Sequence, residues 1–510
     1  MTQAADIIFT NGAVHPLTDE ETGEPSAEAV AVRDGTVVRV DSTYEVEFLE
    51  GVETKVVDLD GRTLLPGFVD AHTHLEMVGR YEQEADLSGV DDPEACLDAL
   101  AERRDETESG WILGFGYDES NWGGEYLTRD QLDDISTDRP VVAYREDMHL
   151  ASVNSVVLER YRVEMPDADV RTESGEPTGV LVEDALEVLW EETRPGPEGM
   201  REYLLAAQER ANSLGITAVH DMIRQSPAPR VYRDLDRAEE LTLRVRLNYW
   251  RDHLDAVLET GLRTNHGSSR VRTGGIKTFI DGSLGGRTAK LSEPYADAPD
   301  ETGSWVVEPE EVHDLVERVD SAGLQMTMHA IGDGAIEVAL DAYEEADGER
   351  HRIEHVEVLR EELIERLAAS DVVASVQPNF LKWARDGGLY AQRLGDERRR
   401  ASNQFRTLFD SDVELAFGSD CMPLDPLFGI DQVVNAPAPE QELSMTEALR
   451  AYTTGAAYAG FDENRMGTVE VGKCADFVVL GDSPWRCETL ADVDVAMTVV
   501  GGEVVYDGRE

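Results

Sequence analysis

Four histidines, one lysine and one aspartate stand in or just after short apolar runs, and together these residue types can hold metal ions. His72-Thr73-His74 follows the run 64–69, which contains the Pro66-Gly67 pair. In extended chain, residues i and i+2 point to the same side, so both imidazoles converge. In isolation such a pair is more often two surface histidines, but here it ends a strand in a chain with only 11 His. Lys277 lies inside the apolar run 275–280, where an unpaired cation is costly. His329, His355 and Asp420 end the runs 325–328, 352–354 and 415–419. Any one of them alone is more often structural; their repeated position on successive strands carries the argument. Imidazole and carboxylate donors suit Zn²⁺, with Mn²⁺, Fe²⁺ or Co²⁺ as alternatives. Four histidines plus Asp420 exceed what one catalytic metal needs, which favours two cations if something bridges them.

The elements that must position these groups alternate strand and helix. Short apolar strands are predicted at 64–69, 217–220, 275–280, 325–329, 352–355, 372–376 and 415–418, each followed by polar or Gly-rich residues and a helical stretch. Such alternation implies a parallel sheet, and eight units close as a (β/α)8 TIM barrel, here over 66–461. Barrel enzymes keep their chemistry at the carboxyl ends of the strands, where the six residues fall. An α/β insertion at about 76–214, with strands at 111–114 and 141–144, is expected to supply the eighth unit. The ends are β-rich, at 6–10, 29–32 and 36–40, then 475–480, 495–500 and 503–506. Asn11-Gly12, Asp34-Gly35 and Gly501-Gly502 are turn signals that accept positive φ. Residues 1–65 plus 462–510 are therefore predicted to form a small β-sandwich domain.

Charge narrows the partners. The 510 residues include 105 Asp+Glu against 46 Lys+Arg, a net charge of -59, scattered along the chain. Such a surface repels itself in dilute buffer, whereas at molar salt the Debye length falls to about 3 Å. The composition points to a high-salt cytoplasm and argues against nucleic acid or an anionic membrane as partner. The four cysteines form no CxxC, which fits a reducing compartment. The opening residues lack the pattern of a signal peptide, and no run approaches the roughly 20 apolar residues of a membrane helix.

Longer motifs carry a resemblance. The segments Leu65-Pro66-Gly67-Phe68-Val69-Asp70-Ala71-His72-Thr73-His74, Lys277-Thr278-Phe279-Ile280-Asp281-Gly282-Ser283-Leu284, Arg287-Thr288-Ala289, His329-Ala330-Ile331-Gly332-Asp333 and Gly418-Ser419-Asp420 resemble the amidohydrolase superfamily. Within it they are similar to the N-substituted formamide deformylase-like metal-dependent hydrolases (amidohydrolase family 3), over almost the whole chain. The resemblance implies that His72 and His74 bind the more buried metal, that a carboxylated Lys277 bridges two metals, and that His329 and His355 hold the second. It makes Asp420 a ligand and the base that passes a proton from water to a departing nitrogen. Cys421, beside Asp420, departs from the small residue expected there and is read as a packed thiol.

The implied reaction is hydrolysis of a non-peptide C–N bond in a small amide-type molecule, by a protein whose architecture suggests a homodimer. Formamides, N-acyl amino acids, cyclic amides and imidazolone-like rings all fit. Candidate substrate contacts are Trp111, Tyr117, Trp122, His149, Asn154, His220, Asp281 and Arg287, although packing of the insertion explains the tryptophans equally well. Two rivals remain: hydrolytic deamination of a heterocycle, which needs one metal and no bridging lysine, and a silent regulatory homologue, which would have shed ligands.

Overall fold

The computed structural model describes residues 4–18, 23–107, 110–146, 148, 150–487 and 489–509. They divide into two units. One runs up to His74, then Gln208–Gln225 and from Tyr232 onward; the other is Leu75–Ala207 with Ser226–Val231.

In the first unit eight strands lie side by side in chain order. They are β1 (Phe68–Thr73), β2 (Ile216–Ile223), β3 (Arg244–Trp250), β4 (Val271–Phe279), β5 (Gln325–Ala330), β6 (Arg352–His355), β7 (Val373–Val376) and β8 (Leu415–Phe417). All neighbours pair in parallel. Helices such as Pro309–Ser321, Asp333–Glu344 and Glu361–Ala368 connect successive strands. With both faces covered, strands become continuous buried runs, as β2 is throughout. The ring shuts between β8 and β1. There the Asp420 N–H donates to the His72 carbonyl at 2.7 Å and the Ser419 N–H to Asp70 Oδ1 at 3.0 Å. This is a (β/α)8 barrel.

Two expectations are corrected here. The eighth strand is β3, not a strand of the insertion, whose strands form a separate six-stranded sheet. β3 is hard to recognise because Arg244, Arg246 and Asn248 interrupt its apolar character. Each has a partner: Arg244 binds Asp476 at 2.6 Å, Arg246 binds Asp462 at 2.9 Å, and Asn248 Oδ1 accepts the Gly275 N–H at 3.0 Å. Secondly, the run 64–69 is two strands. Thr63–Pro66 pairs antiparallel with Phe477–Leu480, and β1 begins only at Phe68. Gly67 marks the break, where a Cβ would lie 2.2 Å from Thr217 Cγ2.

The chain ends build two further sheets in the same unit. Thr36–Asp41, Ala29–Arg33, Ile7–Thr10 and Lys55–Asp58 form one; Ala13–Val14, Thr63–Pro66, Phe477–Leu480, Val495–Val500 and Glu503–Asp507 form the other. Phe9, Val30, Val32, Leu64, Phe477 and Met497, drawn from both sheets, share one apolar cluster. Asp34-Gly35 and Gly501-Gly502 do turn hairpins, with φ of 49° and 69°, and 63° and 81°. Asn11-Gly12 does not, because the strands on either side of it belong to different sheets.

The second unit is the insertion. Its sheet runs in the order Val170–Glu173, Glu176–Val182, Leu150–Val153, Val141–Arg145, Ile112–Tyr117, Ala85–Asp86. Alternation sends Leu113, Phe115, Val142 and Tyr144 into one apolar cluster and Ile112, Val141 and Ala143 into another, which Tyr117 joins after a register shift. Among the described residues no helix is long and apolar enough to cross a membrane.

The Gly67 contact makes a test. Gly67→Ala should destabilise the protein by about 1–3 kcal/mol through overpacking, and Thr217→Ala in the same chain should restore part of the loss. Thermal unfolding of the three variants decides it; an unchanged midpoint for Gly67→Ala would show that this approach is not tight.

Candidate metal centre

Parallel strands present their carboxyl ends at one rim, and the six candidates come from five of them. His72 lies in β1 with His74 just beyond it, Lys277 in β4, His329 in β5, His355 at the end of β6, and Asp420 three residues past β8. Asp420 Oδ1 is 3.6 Å from His72 Nε2 and 3.3 Å from His74 Nε2. The His355 ring centre is 5.0 Å from that of His72 and 4.4 Å from that of His329. One donor atom each from His72, His355 and Asp420 lie within 4.8 Å of one another, close enough for one ion. Lys277 is fully buried, and its charge acts on His72, His74, His329, His355 and Asp420 alike.

Each imidazole has one nitrogen engaged by an acceptor. His72 Nδ1 meets Glu354 Oε2 at 2.5 Å, His74 Nδ1 the Met222 carbonyl at 3.2 Å, His355 Nδ1 Gln377 Oε1 at 2.6 Å, and His329 Nε2 the Gly282 carbonyl at 3.1 Å. Carbonyls and carboxylates only accept, so those nitrogens carry the protons. At His72, His329 and His355 the opposite nitrogen is left with a lone pair, the form in which histidine ligates a metal. His74 Nε2 instead faces the Asp420 carboxylate; burial lowers that imidazole but Asp420 raises it above its ordinary value. Burial first, then the Lys277 charge or a neighbouring imidazole, holds His72, His329 and His355 well below the ordinary imidazole range, which keeps them neutral. Burial alone would raise the Asp420 carboxyl, but His72 and His74 hold it below its usual value. Lys277 Nζ has no hydrogen-bond partner among the described residues, and burial pushes it down to about 8. Three imidazole lone pairs, an ionised carboxylate with His74 beside it and a buried amine without a hydrogen-bond partner among the described residues fit a divalent metal site.

The backbone is strained at two of these positions. His355 and Val356 have φ of 77° and 52°, and Asp420 and Cys421 have φ of 52° and 55°. Such conformations cost roughly 1–3 kcal/mol each and persist where the surroundings over-determine them. Cys421 itself is half-buried, and burial pushes its thiol up.

The supporting residues escape sequence reasoning. Glu354, behind His72, is gripped by Arg352 at 2.9 and 3.0 Å, and Arg352 also donates to the Ala71 carbonyl at 2.6 Å and Ser375 Oγ at 2.8 Å. Asp70 accepts the N–H groups of His72 and Ser419, both at 3.0 Å, and burial pushes it up to about 7. A signal existed in Arg352-Ile353-Glu354-His355, where two charged residues occupy a short barrel strand.

The proposed substrate contacts separate into three groups. In the insertion unit, Tyr117 is fully buried with its hydroxyl 3.0 Å from Ser152 Oγ, Trp122 stacks on it, and Trp111 stacks on Tyr161. Asn154 caps the helix Ser155–Tyr161 and donates to the Ser136 and Arg139 carbonyls, so its amide is committed to backbone. His149 lies outside the described residues. In the barrel unit, His220 Nδ1 meets Arg352 Nη1 at 2.8 Å, and Arg287 grips Asp297 through two contacts of 3.1 and 2.7 Å. Asp281 stands 3.7 Å from His329 Nε2, and its carboxylate accepts three backbone N–H groups, from Lys290, Ile331 and Gly332.

The barrel and this donor set define a metal-dependent hydrolase scaffold. The model of the amidohydrolase family matches residues 55–506, and the chain belongs to that family. It is 34% identical to protein LONG AFTER FAR-RED 3 of Arabidopsis thaliana, over 98% of this chain and 92% of that one. It is 25% identical to the N-substituted formamide deformylase of Arthrobacter pascens, over 99% of both. An uncharacterized metal-dependent hydrolase from Pyrococcus furiosus superposes with a TM-score of 0.82 at 31% identity, covering 94% of this chain and all of that one. The chain is a hydrolase.

The Glu354–His72 contact yields a prediction. Glu354→Gln keeps the shape but removes the charge behind the ligand, and should weaken metal retention about 10–100-fold. Competition against a chelator measures this; retention equal to the unaltered protein would dismiss the role.

Proposed function

We propose that this chain hydrolyses a C–N bond other than a peptide bond in a small amide-type molecule, using two divalent cations held by His72, His74, Lys277, His329, His355 and Asp420. The observation that carries the reading is Lys277, fully buried and with no hydrogen-bond partner for its Nζ among the described residues, beside three imidazoles held neutral and the Asp420 carboxylate. A buried ammonium is costly there. With burial pushing the amine down to about 8, about a tenth of it is neutral at pH 7, far more than for an exposed lysine, and that form would add CO₂ through its lone pair. The product is a carbamate anion with release of a proton, and its two oxygens can serve two cations. Zinc is the metal best suited to these donors.

When bound, such cations polarise a carbonyl and bring the ionisation of water to near neutral pH. The chain's own residues do the rest. Asp420, ionised and within hydrogen-bond reach of His74, accepts a proton at Oδ1 and returns it to the departing nitrogen. His72 and His355 are fixed by Glu354 and Gln377, so the acceptor geometry is set before substrate arrives. The relative from Arthrobacter pascens is named for acting on N-substituted formamides, which supports amide-type chemistry here. Scattered acidity supports a cytoplasm rich in salt as the setting.

Metal counting with a panel of formamides, N-acyl amino acids and lactams, in high-salt buffer, tests the reading. The unaltered protein should hold about two metals per chain. Lys277→Ala should hold fewer and lose at least about 100-fold in kcat, and Asp420→Asn should lose kcat while retaining most of its metal. One metal per chain with activity on an aminated heterocycle would favour deamination instead. Full metal content and activity in Lys277→Ala would end the bridging assignment.

A further inference from the structure

At the opposite, amino-terminal end of the barrel strands the charge balance reverses. Arg244, Arg246, Arg270, Arg272 and Arg465 line one small cavity, with Asp462 as the acidic group in its wall. Asp462 serves three of them, accepting from Arg246 at 2.9 Å, Arg272 at 2.9 Å and Arg465 at 2.7 Å. Asp476, behind the wall, takes both contacts from Arg244, at 2.6 and 3.0 Å. Four of the five guanidiniums thus share two carboxylates in direct ion pairs, with Arg270 beside them, inside a chain where acids outnumber bases 105 to 46.

Arg246 is the group left in debt. It is 3% exposed, and its Nη2 donates to Asn265, Asp462 and the Gly460 carbonyl. Its Nε and Nη1 have no hydrogen-bond partner among the described residues, and neither does Arg270 Nη1. Guanidinium N–H groups are donors only, and on a charged buried group an unmet donor is expensive. Arg270 also feels Asp476, Glu503 and Asp236, so Arg246 carries the site. His220 shares the wall, and since its Nδ1 faces an arginine that can only donate, its proton sits on Nε2. The cavity has about 20 Å³ of free space, room for about one particle of water's size. A monatomic anion fits that room, whereas a tetrahedral oxyanion needs more than one such particle's space and would have to protrude toward solvent. Water would supply an acceptor without the missing negative charge; a monatomic anion supplies both.

We propose that this cavity is a halide site, taking one chloride ion against Arg246 Nε and Nη1 and neutralising part of the arginine cluster beneath the barrel.

Two measurements test it. Crystals soaked in sodium bromide, with diffraction recorded at the bromine absorption edge, should show an anomalous peak beside Arg246. In solution, thermal unfolding in sodium chloride and in sodium acetate at equal ionic strength separates binding from general screening of the acidic surface. The midpoint should be higher in chloride by roughly 2 °C, saturating with concentration, and Arg246→Met should erase the difference. If that variant fails to fold, the bromide experiment on the unaltered protein decides alone. No anomalous peak in the cavity while bromide appears elsewhere on the molecule would overturn the proposal, as would a chloride excess that persists in Arg246→Met.

Discussion

Burying an imidazole is unfavourable unless both of its nitrogens are used, and the centre depends on that constraint. Each of the four ring N–H groups is engaged by a partner that can only accept, from Glu354, Gln377 or the carbonyls of Met222 and Gly282. The other nitrogens of His72, His329 and His355 are thereby left with lone pairs before any ion arrives. Removing the acceptor would free the ring to rotate and the tautomer to change, so a residue that never touches metal governs affinity. The Glu354–Arg352 pair shows how far the constraint reaches. Arg352 neutralises the carboxylate that orients His72 and also fastens β6 to the Ala71 carbonyl in β1 and to Ser375 in β7.

The six candidate donors were legible because residues at a barrel rim leave a positional trace. A histidine or aspartate that ends an apolar run, as His72, His329, His355 and Asp420 do, or a lysine inside one, as Lys277 is, is visible one strand at a time. The groups behind them left no comparable trace. Gln377 follows β7 as an ordinary polar residue, and only the fold reveals that it faces His355. Asn154 misled for the opposite reason: an amide in a polar stretch resembles a binding group, yet helix capping consumes it. β3 was missed because periodicity assumes apolar strand interiors. Arg246 and Asn248 are buried with partners that lie 216 and 27 residues away, a separation no local pattern encodes.

Closure of the barrel and construction of the centre are one event. The N–H of Asp420 binds the carbonyl of His72, so a ligand at the end of the last strand is fixed to a ligand in the first. Asp70 repeats the link by accepting from both His72 and Ser419. Gly418 permits the approach, since a Cβ there would lie 2.4 Å from the His72 nitrogen. The left-handed backbone at Asp420 and Cys421 is the strain that remains once the two ends are tied. Such strain is tolerable only on a rigid frame, which is why these ligands stand at strand ends rather than in the insertion.

The distribution of charge follows from the same economy. A net charge of -59 is borne by a surface that salt can screen, but screening does not reach the interior. Inside, every charge must find a partner in the structure. At the rim His72, His355 and Asp420 bring their donor atoms close enough for one ion. Beneath the barrel, Arg246 reaches Asp462 and Asp462 is already shared with Arg272 and Arg465, so the local sum stays positive. A protein this acidic could have placed one more carboxylate there at no cost in composition. That it instead leaves a small, partly open cavity among arginines is what favours a site over a packing defect.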